Sequence, residues 1–222
     1  MTAAIMAAGL GASVAQTVYS VNSVGYVNVT AKPGYNLFGN PLKGATNNNI
    51  STILPAAALP DDTTVLTWNN ATQDFDQAVF VSGGAWLDQN FAPATTVLNP
   101  GRAFFFQNVK NPASDIQITF VGEVSQGTLT NRVGANYDFV ASVVPQSTGL
   151  STIGFPGVQD MTFATFNPLI QDYNQALVYD GGIWVDQSFT PTDPTPAVAQ
   201  GFLITSPNGQ AAQNWVRTFS VN

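Results

Sequence analysis

The stretch QDFDQAVFVSGGAWLDQNF at 73–91 returns ninety-eight positions later as QDYNQALVYDGGIWVDQSF at 171–189, with ten of nineteen positions identical. The echo extends outward: ISTI at 50 recurs as LSTI at 150, TWN at 67 as TFN at 165, and Phe104 falls on Phe202. A 222-residue chain has room for two domains of about 100 residues each. Two copies at so long a period do not make a solenoid, which stacks several short units. The duplication therefore predicts two homologous domains, at 26–124 and 133–222, joined by a linker at 125–132 (SQGTLTNR is residues 125–132).

Within each copy the pattern is that of an all-β chain. TVLTW (64–68), QAVFV (77–81), RAFFFQNV (102–109), IQITFVGEV (116–124), YDFVASVV (137–144), GFLITS (201–206) and WVRTFSV (215–221) are β-branched or aromatic runs. Turn-forming Gly, Pro, Asn and Asp separate them. The last run alternates, with Trp215, Arg217, Phe219 and Val221 on one face of a strand. Each domain is expected to be a small β-sandwich or a partly open barrel, and sequence does not separate the two.

The surface must be unusual, because only 9% of residues are charged, against roughly a quarter in typical soluble domains. Asn, Gln, Ser and Thr have to build it, and weak repulsion between copies permits association. Six basic residues, scattered singly in a chain of net charge −7, argue against nucleic acid as a partner. Absent cysteine excludes disulfides, thiolate metal sites and cysteine nucleophiles, and absent histidine removes the commonest general base. Glu123 is the only glutamate and has no partner in the second copy, and no serine nucleophile has a base. The inventory argues against an enzyme. No cofactor is expected; calcium is the one metal to weigh, with Asp61 and Asp62, or Asp193, as oxygen donors beside backbone carbonyls.

Residues 1–15 are an uncharged Ala- and Gly-rich apolar segment, too short to span a membrane. They read as a secretory leader cut after Ala15 or as a buried helix; no basic residue follows Met1.

Two sets of residues are candidates for function. Trp86, Asp88 and Gln89 recur as Trp184, Asp186 and Gln187. They read either as a glycan site, with Trp as stacking platform and Asp and Gln as hydrogen-bond partners, or as core tryptophan and turn-forming polar groups. The second set lies in TVYSVNSVGYVNVT: Val18, Val21, Val24, Tyr26, Val27 and Val29 form a strand-like arm over 17–30. It reads either as the first strand of its own domain or as an arm that completes a neighbour's sheet.

GYVNVTAKPGYNLFGNPL (25–42), VLNPGRAFFFQNV (97–109) and TFVGEVSQGTLTN (119–131) resemble a set of secreted, tandem-β proteins of environmental bacteria. The motifs N-P-G-x-x-F-F-F and F-V-G-E-V-x-Q-G recur in that set. The resemblance implies export and an all-β fold, and implies no functional residues. Together these observations lead to the expectation of an exported, extracellular or cell-surface structural protein. Its copies would associate into a filament or layer. The alternative is a tandem carbohydrate-binding or adhesion module.

Overall fold

The computed structural model describes residues 23–221 and shows an all-β chain of two tandem sandwich domains. The leader-like segment 1–15, Val18 and Val21 lie outside the described residues. In the first domain the strands are β1 (Val24–Ala31), β2 (Gly34–Gly39), β3 (Thr64–Asn69), β4 (Asp74–Phe75), β5 (Val79–Ser82), β6 (Ala85–Leu87), β7 (Ala103–Asn108) and β8 (Ile116–Glu123). The second repeats them as β9 (Gly127–Val133), β10 (Tyr137–Val140), β11 (Thr162–Asn167), β12 (Asp172–Tyr173), β13 (Leu177–Asp180), β14 (Ile183–Val185), β15 (Phe202–Thr205) and β16 (Gln213–Phe219).

Each domain pairs a six-stranded antiparallel sheet with a two-stranded ribbon. The first sheet runs β2-β7-β3-β5-β6 with β4 beside β3, under the ribbon β1-β8; the second runs β10-β15-β11-β13-β14 with β12 beside β11, under β9-β16. In neither sheet does the chain simply meander, since β7 and β15 insert between strands that precede them.

The supposed linker is a correction. Residues 127–133 form β9, paired with β16 from Gly127↔Phe219 to Val133↔Gln213. Of the two readings of the 17–30 segment, the first strand of its own domain is the one seen: Val24, Tyr26, Val27 and Val29 lie in β1, paired along its length with β8 of the same chain. The domains thus run from β1 to β8 and from β9 to β16.

Ribbon and sheet meet through alternate residues. Val27, Val29, Ile116, Ile118 and Phe120 point from the first ribbon onto Val65, Val81, Trp86, Phe104 and Phe106 of the sheet. Burying a side chain of this size stabilises by about 2 kcal/mol. Ile50 and Ile53 of α1 (Ile50–Ile53) close the same core, which accounts for the ISTI motif. The second core repeats the plan with Phe163, Trp184, Phe202, Ile204 and Trp215 around Leu150.

The other faces of the two large sheets bury against each other. Leu37, Ala103 and Phe105 of the first domain pack on Phe139 and Ala141 of the second, with Trp68, Phe75, Phe166 and Tyr173 around them. Strand β7 is thus covered on both faces, which is why AFFF is a continuous apolar run rather than an alternating one.

Candidate functional site

The strand registers define which residues of the two domains are equivalent. In β3 and β7, Thr67 faces Phe104; in β11 and β15, Thr165 faces Phe202. Tyr35 faces Gln107 as Tyr137 faces Thr205, so β2 and β10 correspond at a spacing of 102. Contacts between the domains then come in reciprocal pairs. The Gln73 side chain donates to the Tyr137 carbonyl (3.2 Å) and accepts from the Tyr137 N–H (2.9 Å). Gln171 does the same to Tyr35, at 3.1 and 2.7 Å. Gly39 N–H donates to Ala199 O at 2.9 Å, and Ala141 N–H to Gly101 O at 3.0 Å. This is an isologous contact inside one chain, related by a pseudo-two-fold axis.

The axis passes between residues equivalent to each other. A methyl built on Gly39 lands 2.0 Å from Ala141 Cβ, and one built on Gly201 lands 2.6 Å from Ala103 Cβ. Each pair is one glycine and one alanine, and each domain contributes one of each. Gln73 and Gln171 open the two repeated stretches, but the sequence alone does not say what they face, and Gly39 and Gly201 carry no signal in it.

One ion pair departs from the symmetry. Asp138 is 0% exposed and is gripped by both terminal nitrogens of Arg102, one at 3.0 Å from Oδ2 and the other in a shorter contact with Oδ1. The Gly134 N–H (2.6 Å) and Asn70 Nδ2 (3.0 Å) complete its shell. The equivalent positions are Gln200 and Asn36.

The proposed stacking tryptophans are not at the surface. Trp86 is 4% and Trp184 2% exposed; Trp86 Nε1 donates to Leu54 O at 2.6 Å, and Trp184 packs on Phe155, Phe163 and Tyr179. A face buried in a sandwich core offers nothing to a sugar, so both are core residues. Asp88 and Asp186 organise turns: Asp88 Oδ1 accepts from the Asn90 and Ala92 N–H groups, and Asp186 Oδ1 from those of Ser188 and Thr190. Gln89 and Gln187 are exposed.

The three acidic residues considered for calcium serve the backbone or a turn. Asp61 accepts from Gly83 N–H and Asp193 from Ser151 N–H, while Asp62 sits at φ 66°. Among the described residues no three metal-ligating side chains gather.

A polar cleft of about 380 Å³ in the first domain is lined by Thr67, Asp76, Gln77, Asp88, Thr96 and Arg102. Asp76 is held there by Thr67 Oγ1 (3.1 Å) and Asn69 Nδ2 (3.0 Å). Its counterpart Asn174 keeps the same two partners, donating to Thr165 Oγ1 at 2.8 Å and accepting from Asn167 at 3.1 Å. A role that survives the change from carboxylate to amide is a hairpin brace rather than acid chemistry.

The outer edge of β1 is an open sheet edge among the described residues. Ser23 O accepts from Val124 N–H at 2.8 Å. By the antiparallel alternation, Gly25, Val27, Val29 and Ala31 then face β8, while Val24, Tyr26, Asn28 and Thr30 turn their backbone groups away. No strand among the described residues pairs with that edge. The far side of β8 is closed at one end, where Lys43 and Glu123 exchange two bonds of 2.9 and 2.8 Å. The strand β9 is blunted by exposed Arg132, whose carbonyl also accepts from Arg102 at 3.2 Å.

Among the described residues no helix is long and apolar enough to cross a membrane. Comparison of the chain with models of known families, with curated proteins and with solved structures finds no match.

Proposed function

We propose that this chain is an exported, non-enzymatic structural protein whose copies associate edge to edge through β1. One observation carries the reading: β1 is eight residues, VGYVNVTA, without a charge or a proline, and its outer edge is unpaired among the described residues. Proteins that stay monomeric blunt such an edge with lysine, proline or a bulge, as Arg132 does for β9. Two β1 strands meeting antiparallel across a two-fold axis turn two ribbons into one four-stranded sheet. Tyr26, 70% exposed, and Val121 opposite it extend the apolar contact on the outer face. Growth beyond that pair into a filament or layer requires a second contact elsewhere on the chain. The leader-like composition of residues 1–15 supports export.

The test is mass photometry and negative-stain microscopy at physiological salt, on the parent and on Tyr26→Lys. The Tyr26 side chain points to solvent, so the substitution spares the core and charges the edge. Oligomers in the parent and monomers in the variant are the expected pair of results. A parent that stays monomeric across a wide concentration range overturns the proposal.

A further inference from the structure

The loop after β6 and its counterpart after β14 present an exposed aromatic ring at the same place in both domains. Phe91 is 72% and Phe189 75% exposed. Both occupy the left-handed region, at φ 60° and 56°, a conformation that is an outlier for a bulky side chain and is accepted far more readily by Gly or Asn. The loop is rigid: Asp88 N–H bonds Ala92 O (2.8 Å) and Phe91 N–H bonds Asp88 O (3.0 Å), and the second copy repeats both bonds at 3.0 Å. The two carboxylate clamps described above fix the rest of each turn. In the first domain Phe80 meets Phe91 edge-on at 5.5 Å, which sets the ring's orientation and leaves most of it open. A position that folding alone would fill with Asn or Gly thus holds a Phe, twice, pointing outward.

The surroundings indicate what the ring meets. Exposed Gln89 and Asn90 precede Phe91, and exposed Gln187 and Ser188 precede Phe189. The side chains of these four residues make no hydrogen bond within the described chain, so their amide and hydroxyl groups remain available. No lysine or arginine lies in either loop, which disfavours an anionic membrane surface for a chain of net charge −7. One ring ringed by free amides fits a pyranose, whose C–H face covers the aromatic while its hydroxyls take the amides. A flat apolar protein partner would need a contiguous patch instead. We infer that Phe91 and Phe189 are the stacking platforms of two equivalent sites for a neutral polysaccharide. Each domain carries one such site, and a polysaccharide surface that engages both gains avidity. This assignment is independent of association through β1.

The experiment is a pull-down of the full chain on insoluble cellulose, chitin and xylan, with the variants Phe91→Asn, Phe189→Asn and the double. Asparagine suits the left-handed backbone, so the thermal unfolding midpoint should hold or rise while binding falls. A roughly tenfold weaker half-saturation in each single variant and loss of binding in the double are expected. A parent that binds none of the three, or a double variant that binds as the parent does, overturns the inference. So does a falling midpoint with unchanged binding, which would make the rings packing residues.

Discussion

Gly39 sits where the two domains cross, and adding one methyl there tests the pseudo-two-fold axis directly. The built methyl lies 2.0 Å from Ala141 Cβ, while carbon atoms rest at about 3.5–4.0 Å. In Gly39→Ala the strands must separate by about 1.5 Å. Overpacking of this kind costs about 1–3 kcal/mol. The separation also loosens the Gly39–Ala199 and Ala141–Gly101 hydrogen bonds, each worth about 1 kcal/mol. Reduced freedom of the unfolded chain returns about 0.5 kcal/mol, leaving a net loss of about 3 kcal/mol. The reciprocal exchange, Gly39→Ala with Ala141→Gly, should recover most of it. The new methyl then occupies the space the old one left, with the position-141 Cα and Arg102 O each 3.5 Å away, an ordinary contact. Ala141→Gly alone leaves a small void and a freer chain, for about 1–1.5 kcal/mol. The assay is urea unfolding followed by tryptophan fluorescence, to which Trp68 at the interface contributes. If the exchange variant is no more stable than Gly39→Ala, the two positions do not share an axis and the equivalence drawn from the registers is wrong.

Two further outcomes follow from the same interface. Arg102→Gln strips the buried Asp138 of its cation and should cost about 3 kcal/mol; adding Asp138→Asn, which reproduces the Gln200 and Asn36 arrangement, should recover most of it in the same assay, and an Arg102→Gln variant as stable as the parent would show that the pair carries no weight. Tyr173, pushed up to about 12 by burial first and by the neighbouring Asp172 second, keeps its phenol neutral in the fold while the unfolded chain ionises near pH 10. Its contribution is therefore complete below about pH 10 and lost as pH rises toward about 12. The urea midpoint should fall between about pH 10 and 12 less steeply in Tyr173→Phe, the residue its counterpart Phe75 already is; equal slopes would refute this.

Where a strand's inward residues are large and apolar, the chain declared it: Ile116, Ile118 and Phe120 of β8, or Phe104 and Phe106 of β7, suffice for both existence and face. Strand β9 reads as a linker because its inward positions are Leu129, Asn131 and Val133 among Gly, Thr and Arg. Asn131 is buried for a reason outside its own sheet, donating to Gly101 O and Ala141 O at 2.9 and 3.2 Å. No alternation rule contains that partner. The strand expected over 137–144 stops at Val140 because Ala141 has left the sheet to bond across the axis. Trp86 shows the reverse difficulty. A tryptophan after a Gly-Gly turn has the same sequence whether its ring faces the ribbon or solvent, and only the placement of Leu54 decides it. Phe91, five residues on, is legible as repeated, but its left-handed backbone and its exposure are facts of three dimensions.

The alternation of glycine and alanine along the axis bears on which halves pair. Two copies of the first domain docked through this face would set Ala103 against Ala103 and Gly39 against Gly39. Two copies of the second would set Ala141 against Ala141 at a separation that admits one methyl. Either self-pairing is overfilled at one crossing and empty at the other, while the mixed pair fits at both. Only Val124, Ser125 and Gln126 separate β8 from β9, so each half meets its complement at a high local concentration from the moment both are folded. The duplication thus leaves a chain whose halves have become a lock and its key. Every assembly built from it starts from a pairing already complete, and its outer edges and loops remain free to meet something else.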